Sequence, residues 1–148
     1  MSVNYKTILV AVDGSNEAKR ALKKSIIMAK DNGAKLLIVH IIDTRTFASI
    51  EHYDRMVFAE SEKYAEEMLN EYKKQAVNSG VQDVSMIIDY GSPKVKITKD
   101  VVKKYDVDLI VTGATGLNAV ERFLIGSVSE HITRHSACDV LIVRNELN

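Results

Sequence analysis

The chain has 148 residues, 46% hydrophobic and 27% charged, and its 20 lysines and arginines balance 20 aspartates and glutamates to a formal net charge of zero. That length suits a single domain over 1–148 whose core needs neither disulfides nor a structural metal. The charge balance excludes the basic surplus with which duplex-DNA binders displace phosphate counterions. Cys138 is the only cysteine, so an intrachain disulfide is excluded and a reducing compartment is expected. Apolar runs such as 8–12 and 36–39 fall far short of the ~20 residues of a membrane span, and the opening MSVNYKTILVAVDG lacks a signal-peptide pattern. The expectation is a soluble, cytoplasmic protein that binds neither nucleic acid nor membrane.

In chain order, Thr7–Val12 reads as the first strand. Ser15 then caps a helix whose apolar stripe is Ala18, Ala21, Leu22, Ser25, Ile26 and Ala29. It stops at Asp31-Asn32-Gly33, where Gly33 suits a left-handed C-terminal residue. Lys35–Ile42 is the second strand, followed by a long connection over 43–53 whose Phe47 and Tyr53 fit a lid or a partner surface. A helix from about Asp54 to Ser79 places Val57, Tyr64, Ala65, Met68, Leu69, Tyr72 and Ala76 at helical spacing, and Gly80 closes it. Val84–Tyr90 is the third strand, after which Ser92 and Pro93 fit the N-cap and first position of a helix carrying Val95, Ile97, Val101 and Val102 and ending near Tyr105. Asp108–Thr112 is the fourth strand and runs into a second long loop over 113–125. The last helix starts near Gly126-Ser127 and continues to about Ser136, and Asp139–Arg144 is the fifth strand. The strands are apolar at consecutive positions, which suits cover on both faces. Strand and helix alternate throughout, the pattern of an α/β three-layer sandwich with a parallel sheet and right-handed crossovers.

In such sheets ligands bind beyond the carboxyl ends of the strands, where the strand order reverses. The first strand ends in Val12-Asp13-Gly14-Ser15, the second in His40-Ile41-Ile42-Asp43, and the fourth enters GATGLNAVERFLIGSVSE over 113–130. Gly113 and Gly116 bracket a turn directly off the fourth strand, and Gly126-Ser127 open a helix. Two readings stand. These glycines are turn and cap residues such as any α/β protein carries, or they build a two-part phosphate cradle. The second has a physical basis: glycine lets a phosphate approach the backbone, and the first-turn amides and dipole of a helix favour an anion. Ser127 and Ser129 would add hydroxyl donors. Neither GxxxxGK(S/T) nor a GxGxxG after the first strand is present.

The spacing G-x2-G-x9-G-(S/T), at Gly113, Gly116, Gly126 and Ser127, resembles that of the ATP-binding branch of the universal stress protein family. The likeness extends over nearly the whole chain, through ILVAVDGS at 8–15, VHIID at 39–43, YGSPKVKI at 90–97, DLIVTGATG at 108–116 and GSVSEHITRHSACDVLIVR at 126–144. It implies a Rossmann-like fold of the adenine nucleotide alpha hydrolase type, with a five-stranded parallel sheet in the order 3-2-1-4-5. It also implies ATP as ligand with Mg2+ or Mn2+, a homodimer through the fifth-strand edge at Val140–Val143, and a nucleotide-gated switch read by an unknown protein partner in a stress response. Carried over residue by residue, Asp13 would lie near the ribose or hold the metal on the phosphates. Ala11 and Ile41 would meet the adenine, with Val12 beside them. Gly113, Thr115, Gly116, Gly126, Ser127, Val128 and Ser129 would hold the phosphates.

Other readings attach to single residues. Asp13 is also an ordinary turn residue before a helix. Arg122 would reach a γ-phosphate or be a solvated loop charge. His131 and His135 stand four apart, a chelating spacing that lacks a third ligand. Ser127 and His131 share a helical face without a GxSxG elbow. Cys138 reads as packing, and the lysine and arginine pairs at 19–20 and 23–24 as exposed helix charges. At the level of function, a slow ATPase or ATP-dependent transferase is the alternative to a binding module. A phosphorylated receiver domain would need clustered acids that only Asp13 and Asp89 begin to supply, and a flavin carrier is a further option.

Overall fold

The structure, a computed structural model, describes residues 4–44, 55–114 and 125–144, the side chains of 55 and 56 aside. Phe47, Tyr53, Thr115, Gly116 and Arg122 lie outside the described residues. The elements are β1 (Thr7–Ala11), α1 (Asn16–Asn32), β2 (Lys35–Asp43), α2 (Arg55–Asn78), β3 (Val84–Gly91), α3 (93–104), β4 (Leu109–Gly113), α4 (Ser127–His135) and β5 (Asp139–Val143). All four strand pairs are parallel, and the sheet order is β3-β2-β1-β4-β5, as the family resemblance implies.

Two apolar layers cover the sheet. On one face Ile8, Val10 and Val12 of the first strand segment pack with Leu36, Ile38, Leu109 and Val111 under α1 and α2. On the other, Leu9, Leu37, Val39, Ile41 and Ile110 pack under α3 and α4. Ile8, Leu9 and Val10 are fully buried, each worth about 1.5–3 kcal/mol against exposure. The cover is less even than the unbroken apolar runs suggest: β3 and β5, at the two edges, are mostly half-buried.

The helices follow their sequence signals, with two departures. In α1 the Ser15 hydroxyl accepts from the Ala18 amide at 3.1 Å, Gly33 closes the helix at φ 62°, and all six predicted stripe residues are buried. In α2 the buried stripe is Ala65, Leu69, Tyr72 and Ala76, whereas Val57 and Tyr64, expected in it, are exposed. At about 100° per residue, Tyr64, next to Ala65, turns about 100° off that face, and Val57, two turns and more before it, about 80° off. In α3, Ser92 makes no side-chain cap bond, and the helix widens into a π turn over Lys96–Val101. The wider turn brings Ile97, Val101 and Val102 onto the sheet together, where a regular α-helix would rotate Val102 aside. Among the described residues no helix is long and apolar enough to cross a membrane.

Candidate functional site

β1 and β4 are neighbours at the centre of the sheet, and the chain leaves them in opposite directions: β1 is followed across the sheet by β2, and β4 by β5. A crevice therefore opens at their carboxyl ends. The last rung beyond β1 is the Val12 amide to the Val39 carbonyl at 2.9 Å. The Val12 carbonyl then lies 2.8 Å from His40 Nδ1. A carbonyl only accepts, so Nδ1 carries the proton, and His40 pins the chain where it leaves the sheet. Asp13 Oδ1 accepts the Ser15 amide at 3.0 Å. Among the described residues its second oxygen makes no hydrogen bond. Asp13 is thus a turn residue with one carboxylate oxygen to spare. Gly14 holds φ +85°, and a Cβ there would stand 2.7 Å from the Tyr64 hydroxyl, so both the dihedral and the neighbour require glycine.

β4 supplies the facing wall. The Ala114 amide continues the ladder to the Val143 carbonyl at 3.0 Å, and the Gly126 amide returns to the Ala114 carbonyl at 2.6 Å. Ala114 and Gly126, which flank residues 115–125, therefore meet at the end of the strand. The Ser129 hydroxyl donates to the Gly113 carbonyl at 2.5 Å and is buried, which docks the first turn of α4 onto β4. The first helical bond is from the Glu130 amide to the Gly126 carbonyl at 2.9 Å. The amides of Ser127, Val128 and Ser129 have no intrahelical acceptor. Gly126, as N-cap, offers no side chain to occupy them. Ser127 is exposed beside them and Val128 half-buried.

The predicted site residues separate accordingly. Ala11, Ile41 and Val128 belong to the apolar cluster on the α3/α4 face of the sheet, Ile41 buried within it and Ala11 and Val128 partly buried against it. Gly113 is a different matter. A Cβ there would come within 2.9 Å of Glu17 Cβ and 3.2 Å of its backbone carbon, so this glycine admits the first turn of α1 against β4. Ser129 spends its one proton on the Gly113 carbonyl, which leaves its amide for the crevice. Thr115 and Gly116 lie outside the described residues.

The competing constellations do not assemble. Asp89 lies on β3, with β2 between it and β1. Its Oδ1 accepts the Tyr90 amide and its Oδ2 pairs with Lys96 at 3.6 Å, so no acid cluster forms with Asp13. The rings of His131 and His135 are 4.3 Å apart. The His131 pKa is lowered by desolvation, and further by His135, Lys94 and Lys99. Among the described residues no group of three His, Cys, Asp or Glu side chains could hold a metal. Burial pushes the Cys138 thiol up, away from the reactive thiolate. Sequence reasoning gave His40 no role, although its place in the later half of β2, beside the exit of β1, was the available signal.

Residues 4–144 match the family model described as the universal stress protein family. A Staphylococcus aureus (strain USA300) protein named as a universal stress protein is 52% identical over 144 residues, covering 97% of this chain and 87% of its own. The solved structure of universal stress protein UspA from Lactobacillus plantarum matches with a TM-score of 0.82 at 28% identity, covering 97% of this chain and 100% of that one. A universal stress protein solved in complex with cAMP matches at 0.68 and 28% identity, covering 95% of this chain and 98% of its own. The sheet order, the helix start docked on the fourth strand and a match running from residue 4 to 144 share one explanation: the chain belongs to the universal stress protein family.

Proposed function

We propose that the crevice binds ATP together with Mg2+ or Mn2+, and that the bound nucleotide switches a homodimer between states read by a protein partner. The observation that carries this reading is the start of α4. Three successive amides lack helical acceptors, the N-cap has no side chain, and the turn is anchored to β4 by the Ser129–Gly113 bond. Such a terminus attracts phosphate through both its donors and its dipole. Ala11 and Val128, partly buried against the apolar cluster that holds Ile41, would offer the apolar wall a purine ring requires. The relative in complex with cAMP is consistent with an adenine nucleotide here.

In this reading the amides of Ser127, Val128 and Ser129, with the exposed Ser127 hydroxyl, hold the phosphates. Gly113, Thr115, Gly116 and Gly126 line their path, and Val12 and Asp13 border the sugar. The donor set suits Mg2+: one carboxylate oxygen of Asp13 plus phosphate oxygens is the usual way this ion is held in nucleotide sites, without an all-protein cage. The cation would offset the charge of the triphosphate. Asp13 would orient it, and His40 and the Ser15 turn would hold Asp13 in place.

A thermal-shift comparison tests the reading. Mg-ATP at 100 times its Kd adds ~2.7 kcal/mol, which for a domain of this size is roughly 5–10 °C in Tm. No shift with any adenine nucleotide, with or without divalent cation, would remove the proposal. Single-turnover measurement with labelled ATP addresses the switch: hydrolysis faster than nucleotide exchange would make the protein an ATPase instead.

A further inference from the structure

α3 and α4 pack against each other on the face of the sheet opposite α1 and α2. His131 and His135 stand at i and i+4 on α4, with ring centroids 4.3 Å apart. Lys94 and Lys99 of α3 both act on the His131 ring, and no carboxylate does. Five residues of regular α-helix would set these two lysines about 140° apart. The π turn that begins at Lys96 is wider, so it brings Lys99 back toward the side of Lys94. The acids nearby are turned elsewhere: Asp89 and Asp100 pair with Lys96 at 3.6 and 3.4 Å, and Glu130 with Arg134 at 3.3 Å. Among the described residues Lys94 and Lys99 make no ion pair. Val95, next to Lys94, is left 43% exposed. α3 touches β2 and β3 whereas α4 touches β5, so the side of α4 that meets α3 is turned away from the β5 edge.

We propose that this α3–α4 face docks an acidic segment of a partner protein, with Lys94, Lys99, His131 and His135 meeting its carboxylates and Val95 meeting an apolar side chain among them. Charge complementarity identifies the occupant: bases contributed by two helices, with no acid facing them, favour a partner of opposite sign and fix its register. Nucleic acid is a poorer fit, because so few cations in a chain of zero net charge release few counterions, and a phosphate backbone leaves Val95 without a partner. The histidines make docking pH-dependent. His131 is held below its ordinary pKa chiefly by desolvation, and then by His135, Lys94 and Lys99. It is therefore neutral at neutral pH and gains its charge in mildly acidic solution. An opposite charge alongside favours that charged form, so docking tightens as pH falls. None of these residues belongs to the proposed nucleotide site, and the inference stands without it.

Fluorescence anisotropy of the full chain, without nucleotide, tests it with a labelled peptide of glutamate and leucine in helical spacing, its glutamine analogue and a single-stranded oligonucleotide. Wild type binds the glutamate peptide and not the analogue, and binds it more tightly at about pH 6 than at about pH 8, a range in which glutamate stays ionised. Lys94→Glu/Lys99→Glu weakens binding at least about tenfold, and Lys94→Gln/Lys99→Gln falls between the two. Lys23→Glu/Lys24→Glu makes the same charge change on α1, across the sheet, and keeps the wild-type affinity. His131→Gln/His135→Gln abolishes the rise at low pH. The melting curve of each variant confirms the fold. No binding by wild type, an equal loss in the two double Glu variants, a tighter complex with the oligonucleotide, or a pH response that survives in His131→Gln/His135→Gln would each overturn the proposal.

Discussion

Gly113 and Gly126 flank residues 114–125 and are glycine for different reasons. At Gly113 a Cβ would press on Glu17, at 2.9 Å from its Cβ and 3.3 Å from its carbonyl oxygen. Helix backbone cannot step aside as a side-chain tip can, so Gly113→Ala overpacks the α1–β4 contact by about 1–3 kcal/mol. Its urea midpoint should fall accordingly. Gly126 has φ −65° and ψ 161°, extended backbone that any residue adopts. Gly126→Val gives up a favoured N-cap residue, which costs about 1 kcal/mol or less, and should stay folded while losing the Mg-ATP thermal shift, because the new side chain enters the space before the α4 amides. The reverse pattern, with Gly113→Ala at full stability and Gly126→Val unfolded, would refute this division of roles. The glycine spacing alone does not reveal it, because the motif treats both positions alike and Glu17 lies far away in sequence. Ser127 and Ser129 differ in the same way: one is exposed, and the other is buried against the Gly113 carbonyl.

Among the elements, α2 is joined to the end of β3 by a contact that hydrophobic periodicity does not reveal. Tyr90 stacks on Phe58 with centroids 5.3 Å apart, and its hydroxyl donates to Glu62 Oε1 at 2.5 Å. That bond, followed by burial and the charges of Glu62, Glu66 and Asp89, pushes the phenol up to about 12 from 10.0. The folded value lies above the unfolded one, so the contribution to stability is complete below pH 10 and is lost as pH rises through about 12. Tyrosinate absorbance should show a late phase near pH 12 that disappears in Tyr90→Phe and moves toward 10 in Glu62→Gln. A late phase that survives Tyr90→Phe would assign it to another tyrosine. The strands and the run of α1 were legible because their apolar spacing reports directly on burial. In α2 and α3 the spacing overreached: exposed Tyr64 instead covers Gly14, and the π turn of α3 comes from packing on the sheet, which a regular helical repeat does not anticipate.

For the molecule as a whole, the alternation of strand and helix made a parallel sheet legible, but it does not say which strands are neighbours. The order came from the family likeness, and it decides which edges are exposed. β3 forms one edge, with the charged Asp89 on it, and β5 forms the other, with Val140, Leu141 and Ile142 half-buried and, among the described residues, no strand beyond it. An open apolar edge is a template for pairing. A twofold axis between Leu141 and Ile142 would add the β5 of a second copy antiparallel, setting Asp139 of one strand opposite Arg144 of the other and closing the assembly as a dimer. This arrangement accounts for an acidic start and a basic end on an otherwise apolar strand. Ile142→Lys would bring two like charges together beside that axis. Sedimentation velocity should then give a monomer at concentrations where wild type is a dimer, with the β4–β5 ladder intact by circular dichroism. A dimer that persists in Ile142→Lys would move the interface away from β5, and nucleotide gating would have to act through another surface.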